Sequence, residues 1–248
     1  MKNKFLGLWL AGLVGTAAVL PYAFTLQHEI IAKTGQPLTT IVLASIAQTA
    51  VLLAIAIFFG LKLTNSLNLP LFAPFDSEGA TKEKLPAFLR LTISAGIITA
   101  ILIILGDKIF GQYLPQLTVV NGQVAIWKTL LAALYGGIVE EILMRLFVMS
   151  LFAWVIAKIF KVAEPAKNSP VIWTAIIISS VLFGLGHLPI TAALTAITPL
   201  VIARAIVLNG IGGLVFGWLF WKKGLLYGMA SHFTADIFLL AILPAIMK

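Results

Sequence analysis

Long runs of apolar residues alternate with short polar segments along the whole chain. A helix needs roughly 20 mostly apolar residues to cross a bilayer. The runs are continuously apolar and do not alternate with polar residues, so they favour helices over the strands of a membrane barrel. The pattern therefore predicts an all-α, polytopic transmembrane helical bundle with seven spans, at 5–26, 38–61, 88–106, 126–158, 170–188, 196–221 and 224–247.

Two segments test this division. The run 126–158 would be about 50 Å long as a helix, and we expect it to tilt, to break or to extend into the cytoplasm. The polar connection 62–87 is too short and too poor in apolar residues to fold alone. We therefore expect a single integral membrane domain over 1–248, in which the spans of 1–110 carry no recognisable signature.

Composition narrows the class of protein. Sixty per cent of the residues are apolar and 10% are charged, whereas a soluble domain is about 45–50% apolar and about 25% charged. Mean hydropathy is +1.06. These values exclude a soluble domain and a disordered chain. The absence of cysteine excludes disulfides, thiolate metal sites and cysteine catalysis.

The net charge of +8 indicates contact with lipid headgroups and not with nucleic acid, because no basic stripe with interleaved aromatic residues exists. With the N-terminus in the cytoplasm, the inner segments hold 11 of the cations and the outer segments hold 4. This asymmetry predicts a cytoplasmic N-terminus and an external C-terminus. Lys2 and Lys4 before an apolar run also resemble a signal peptide, but the length of the run favours an uncleaved first span.

Ionisable side chains inside spans are costly in free energy, so they are candidates for function. They are concentrated in three of the seven predicted spans. The candidate catalytic residues are Glu140, Glu141, Arg145, His187, His232 and Asp236.

The spacing of these residues is helical. Glu141 and Arg145 stand at i and i+4 with the acid first, the favourable order for an ion pair on a helix. Glu140 is rotated from Glu141 by about 100° and has no partner on its own helix. His232 and Asp236 are also four residues apart, a spacing at which the aspartate can orient the imidazole.

Three motifs follow from these positions: Glu-Glu-x-x-x-Arg at 140–145, Phe-x-x-x-His at 183–187 and His-x-x-x-Asp at 232–236. Together they resemble the motifs of the CPBP family, in order and in their placement on three separate spans. This family comprises the type II CAAX prenyl endopeptidases and the bacteriocin-processing, Abi-like proteins, which are intramembrane proteases. The resemblance covers about 120–240, and because eight spans are common in the family it leaves seven or eight spans open.

The resemblance implies a mechanism of peptide hydrolysis. Glu140, assisted by His187, would activate water, while His232 and Asp236 would stabilise the tetrahedral intermediate. Arg145 would hold Glu141 and the local helix packing. Relatives are often called metalloproteases, and histidine and carboxylate side chains are ligands of zinc. A divalent metal such as zinc is therefore a possible cofactor, with Glu140, His187, His232 and Asp236 as the candidate ligands.

Two other classes of function use the same residue types. Ionisable residues in spans form proton or ion paths in membrane transporters, and some relatives are described as non-catalytic immunity or scaffold proteins. The intact set of motifs favours the enzyme. For the substrate, the resemblance offers a prenylated CAAX tail, a bacteriocin leader or a membrane-protein segment, recognised in the bilayer or through short loops.

Overall fold

The computed structural model describes residues 2–73, 81–117 and 124–246, apart from the side chains of 81–83 and 116. Within these residues there is no strand, and seven helices are long and apolar enough to cross a membrane. The prediction of an all-α polytopic bundle is confirmed. The helices are α1 (Lys2–Leu26), α2 (Leu38–Leu67), α3 (Thr81–Gly111), α4 (Ile126–Ile159), α5 (Ser169–Gly186), α6 (Pro199–Lys223) and α7 (Leu225–Ile246).

Two helices extend well beyond the predicted spans. Helix α2 continues six residues past the predicted end at 61, and α3 begins seven residues before the predicted start at 88. The added turns carry polar side chains, which lower hydropathy without breaking backbone hydrogen bonding. Helix α2 ends where Asn68 adopts a left-handed conformation, with φ 55°. The predicted connection 62–87 is thus largely helical in its described part, and 74–80 lie outside the described residues.

Helix α4 forms a single candidate span, as predicted, but it is not a regular α-helix. It contains two π-helical stretches, Tyr135–Glu140 and Ile142–Met149, which flank Glu141. π-Helical turns occur frequently at functional sites. The two stretches alter the angular positions of the side chains in the part of α4 that carries the first motif.

Helices α5 and α6 pack closely because glycine faces the contact. A Cβ atom on Gly213 would lie 2.5 Å from Ser180 Oγ, and one on Gly217 would lie 3.1 Å from Ile176 Cγ2. Small residues four positions apart allow such close approach of membrane helices. This contact brings the second motif, at the end of α5, towards the middle of α6.

Helix α7 follows α6 after one residue, Gly224, whose φ of 115° is open to glycine and rarely to other residues. The helix packs closely against α3, where Gly96 contacts Thr234, and against α4, where Gly137 contacts Phe233. The third motif is therefore held between α3, α4 and α6, in the interior of the bundle.

Candidate active site

The first motif supplies a buried ion pair. Glu141 Oε2 lies 3.3 Å from Arg145 Nε, and both side chains have no exposed surface. Arg145 Nη1 and Nη2 have no hydrogen-bond partner among the described residues, but the guanidinium lies 5.3 Å from the ring centre of Phe183. A cation over an aromatic face recovers part of the free energy lost on desolvation.

The second oxygen of Glu141 binds the third motif. His232 Nδ1–H donates to Glu141 Oε1 over 2.9 Å, and the histidine is 5% exposed. The i,i+4 spacing predicted that Asp236 orients the His232 imidazole. In the structure, the partner of His232 Nδ1 is instead Glu141, on a different helix. Asp236 faces the other ring nitrogen, and its Oδ2 lies 3.7 Å from Nε2.

Glu140 completes the cluster. Its Oε2 lies 3.6 Å from His232 Nε2, so two carboxyl groups from different helices face the same nitrogen. The side chains of Glu140 and Asp236 are 22% and 19% exposed, unlike the fully buried Glu141. Nε2 and these two carboxyl groups are therefore the part of the cluster that a ligand can reach.

Aromatic rings fix the plane of the imidazole. Phe216 of α6 stacks on His232, with ring centres 4.7 Å apart and planes at 20°. The ring of Phe183 of α5 makes a T-shaped contact with His232, with ring centres 5.7 Å apart and planes at 88°. The ring of His232 thus has little freedom to rotate away from Glu140 and Asp236.

His187 lies apart from this cluster. It follows the last residue of α5, its Nδ1–H donates to Phe183 O over 2.9 Å, and its ring contacts the Phe183 ring at 4.8 Å. No hydrogen bond or ion pair among the described residues joins it to Glu140 or His232. Because Nδ1 carries the proton in this bond, Nε2 is left as an acceptor.

Close approach of α7 to α4 depends on Gly136. A Cβ atom at this position would collide with Asp236 Oδ2 and would lie 3.2 Å from His232 Nε2. The carboxyl group of Asp236 therefore occupies space that every other residue type would fill. This glycine belongs to the site, although the sequence reasoning did not select it.

Metal ligation requires three or four donors that converge on one point. Among the residues that the structure describes, no three His, Asp or Glu side chains have an arrangement that could hold a metal ion. Of the four candidate ligands, Glu140, His232 and Asp236 lie together, whereas His187 has no hydrogen bond or ion pair with them among the described residues. The predicted metal therefore stays a prediction.

A second charged pair was not predicted. Arg204 of α6 donates from Nε and Nη2 to Asp107 Oδ1 of α3, over 3.0 and 2.6 Å, and Nη2 also donates to Leu117 O over 3.2 Å. Asp107 stands at the end of a predicted span and Arg204 near the start of another. Spacing within one helix reveals i,i+4 pairs only, so it gave no sign of this contact between helices.

The buried cluster on a seven-helix bundle defines a membrane protein with an acid–imidazole site within its spans. Residues 122–238, slightly less than half of the chain, match the family model described as Rce1-like, type II CAAX prenyl endopeptidase Rce1-like. No curated protein and no solved structure matches the chain. The matched residues span all three motifs and support the resemblance: this part of the chain is similar to the family that the motifs indicate.

The match supports, at the level of the family, a CAAX-protease-like intramembrane endopeptidase. The seven apolar helices of the chain make it an integral, multi-pass membrane protein.

Proposed function

We propose that this protein hydrolyses a peptide bond of a membrane-bound substrate with water that Glu140 activates. The observation that carries the proposal is the convergence of Glu140 and Asp236 on His232 Nε2, at 3.6 and 3.7 Å. These three groups come from two helices, lie in the interior of the bundle, and retain partial access. They provide a base, a proton donor and a polar contact for a developing oxyanion.

The reaction proceeds in two steps. The Glu140 carboxylate takes a proton from water while the hydroxyl oxygen bonds to the carbonyl carbon, and the carbonyl oxygen becomes an oxyanion. Protonated His232 Nε2 donates a hydrogen bond to this oxyanion, beside Asp236. The intermediate then collapses, the C–N bond breaks, and the proton held by Glu140 passes to the leaving amine.

Glu141 and Arg145 act through His232. The Glu141 carboxylate accepts the Nδ1–H bond, so it fixes the ring orientation and stabilises the protonated imidazole. Arg145 balances the charge of Glu141 in a region with no exposed surface. His187 offers Nε2 as an acceptor, and we propose that it contacts the water on the side of the site that faces away from His232.

A prenylated substrate is the proposed class. A cavity of about 620 Å³ lies between α1, α3, α4 and α7, and it ends at Gly137 and Phe233, beside the cluster. Its lining is almost entirely apolar, with Asn3 and Lys4 as its polar residues. Such a lining suits an isoprenoid chain, which is long and has no polar atoms to satisfy.

We expect purified protein in liposomes to cleave a farnesylated CAAX peptide at least tenfold faster, in kcat/KM, than its unprenylated twin. Burial of the isoprenoid supplies binding free energy that the twin lacks, at about 0.8 kcal/mol per CH₂ group. Fluorescence of a quenched peptide measures the rates. Equal rates for the two peptides would reject the prenyl proposal. If the protein cleaves neither these peptides nor any membrane-protein segment, the protease proposal is rejected. A chelator arm tests the metal, because loss of activity restored by zinc would establish one.

We further propose that the N-terminus is cytoplasmic, as the asymmetry of cations indicates. The chain has no cysteine, so a single introduced cysteine reports its own side of the membrane. In intact cells an impermeant maleimide should label Lys33→Cys and leave Lys167→Cys unlabelled, since both positions are exposed and lie at opposite ends of the bundle. The reverse pattern would invert the topology.

A further inference from the structure

Helix α1 lies outside the residues 122–238 that match the family model, yet it is held against α4 at two places. Gly15 packs on the first π-helical stretch of α4, where a Cβ atom would lie 3.0 Å from Val139 Cγ2. Nearer the other end of α1, Lys128 Nζ donates to Thr25 Oγ1 over 2.8 Å. The turns of α1 between these two contacts therefore run along the helix that carries the first motif.

Tyr22 stands in these turns and faces the catalytic cluster. Its side chain lines a second cavity, of about 310 Å³, together with Leu240 of α7, which follows Asp236 by about one helical turn. Helices α1 and α7 both run antiparallel to α4. Side chains on a helix lean towards its N-terminus, so the ring of Tyr22 leans from the level of Leu240 towards that of Asp236. The two side chains are within electrostatic reach of each other.

The hydroxyl group of Tyr22 is not used by the fold. It makes no hydrogen bond to any residue that the structure describes, whereas the hydroxyls of Thr16 and Thr25 on the same helix donate to carbonyl groups one turn earlier. The side chain is only half-buried, and it opens onto the cavity. Tyr22 therefore offers an O–H donor to a group that lies beside Asp236.

Hydrolysis as proposed above provides the oxyanion with one donor, His232 Nε2. Asp236 Oδ2 lies 3.7 Å from this nitrogen, but a carboxylate accepts hydrogen bonds and has no hydrogen to donate. The oxyanion therefore forms close to a second negative charge. A preorganised donor aimed at the same place lowers the barrier, because it stabilises charge that is present only after water has attacked.

We propose that Tyr22 is a catalytic residue, whose O–H group donates a hydrogen bond to the oxyanion of the tetrahedral intermediate beside Asp236. The proton stays on the phenol oxygen while the intermediate forms and collapses, so no bond of Tyr22 breaks. Helix α1, which carries none of the three motifs, thereby becomes part of the active site. This inference rests on the proposed function, because the contact is made to the intermediate of that hydrolysis.

Tyr22→Phe removes the hydroxyl and keeps the ring. Loss of one oxyanion donor costs about 10²–10³ in kcat, so kcat of the full-length protein in liposomes should fall about 100-fold. KM should stay within about twofold, because the donor meets the oxyanion and not the bound peptide. Tm in detergent should be unchanged, since the fold loses no hydrogen bond. The matched control is Tyr113→Phe, at a tyrosine that is 68% exposed just after α3, and it should keep the parent kcat.

A second background separates catalysis from packing. Asp236→Asn keeps the size of the side chain and supplies an amide N–H donor at the same place. In this background we expect Tyr22→Phe to lower kcat by less than about tenfold, because the amide replaces part of the lost donation. A packing role for Tyr22 would instead lower Tm and reduce kcat by the same factor in both backgrounds, and that result would overturn the proposal.

The failure of this proposal differs from the failure of the proposed function. If the parent protein cleaves the peptide and Tyr22→Phe cleaves it with the same kcat, the protease stands and Tyr22 has no part in it. If the parent protein cleaves no peptide, the proposed function is rejected, and the role of Tyr22 is rejected with it.

Discussion

Glu140→Gln should abolish peptide cleavage while the protein still inserts and folds. The amide keeps the size of the side chain and its place beside His232, but it cannot take a proton from water. General base catalysis contributes about 10²–10⁴-fold to rate, so kcat should fall by about that factor. Single-turnover cleavage of the fluorogenic peptide measures the loss, and thermal unfolding in detergent measures whether the fold is kept.

The matched control is Glu164→Gln. Within the described part of the chain, Glu164 pairs only with Lys167, and the side chains are 66% and 76% exposed, so activity and Tm should match those of the parent protein. A Glu140→Gln protein with more than about a tenth of the parent activity would exclude Glu140 as the base. The same experiment separates the enzyme from a scaffold, whose phenotype would survive the substitution.

Most of the fold could be predicted from hydropathy alone, because crossing a bilayer imposes length and apolarity on each helix. The predicted starts of α4 at 126 and α5 at 170 differ from the observed starts by at most one residue. Errors arise where a helix leaves the membrane. Beyond residue 61 in α2, Lys62 and Thr64 lower hydropathy, yet Lys62 lies over Phe58 and the Thr64 hydroxyl bonds to its own helix, so the helix continues.

The candidate site was predictable only where its contacts lie within one helix. The spacing of Glu141 and Arg145 indicated their pairing, which the structure contains. The bond from His232 to Glu141 joins residues 91 positions apart, and no local pattern encodes it. The π-helical stretches of α4 could not be predicted from local sequence either, because neither a proline nor an insertion in the apolar pattern marks them.

Arg145→Met should destabilise the protein strongly. It removes the guanidinium that pairs with the Glu141 carboxylate where neither side chain has exposed surface, and leaves the hydrogen bond from His232 as the remaining contact of that carboxylate among the described residues. Removing one partner of a buried ion pair costs about 3–5 kcal/mol, which corresponds to a fall in Tm of the order of 10 °C for a chain of this size. Thermal unfolding in detergent measures it, with Arg90→Met as an exposed control that should leave Tm nearly unchanged.

Two double variants then separate stability from catalysis. Glu141→Gln with Arg145→Met and Glu141→Leu with Arg145→Met both remove the buried charges, so both should recover most of the lost Tm. Only glutamine keeps an oxygen that accepts the His232 Nδ1–H bond. We therefore expect measurable cleavage from the Gln double variant and none from the Leu double variant. Equal activity in the two would show that the contact between Glu141 and His232 holds the helices together and has no part in orienting the imidazole for hydrolysis.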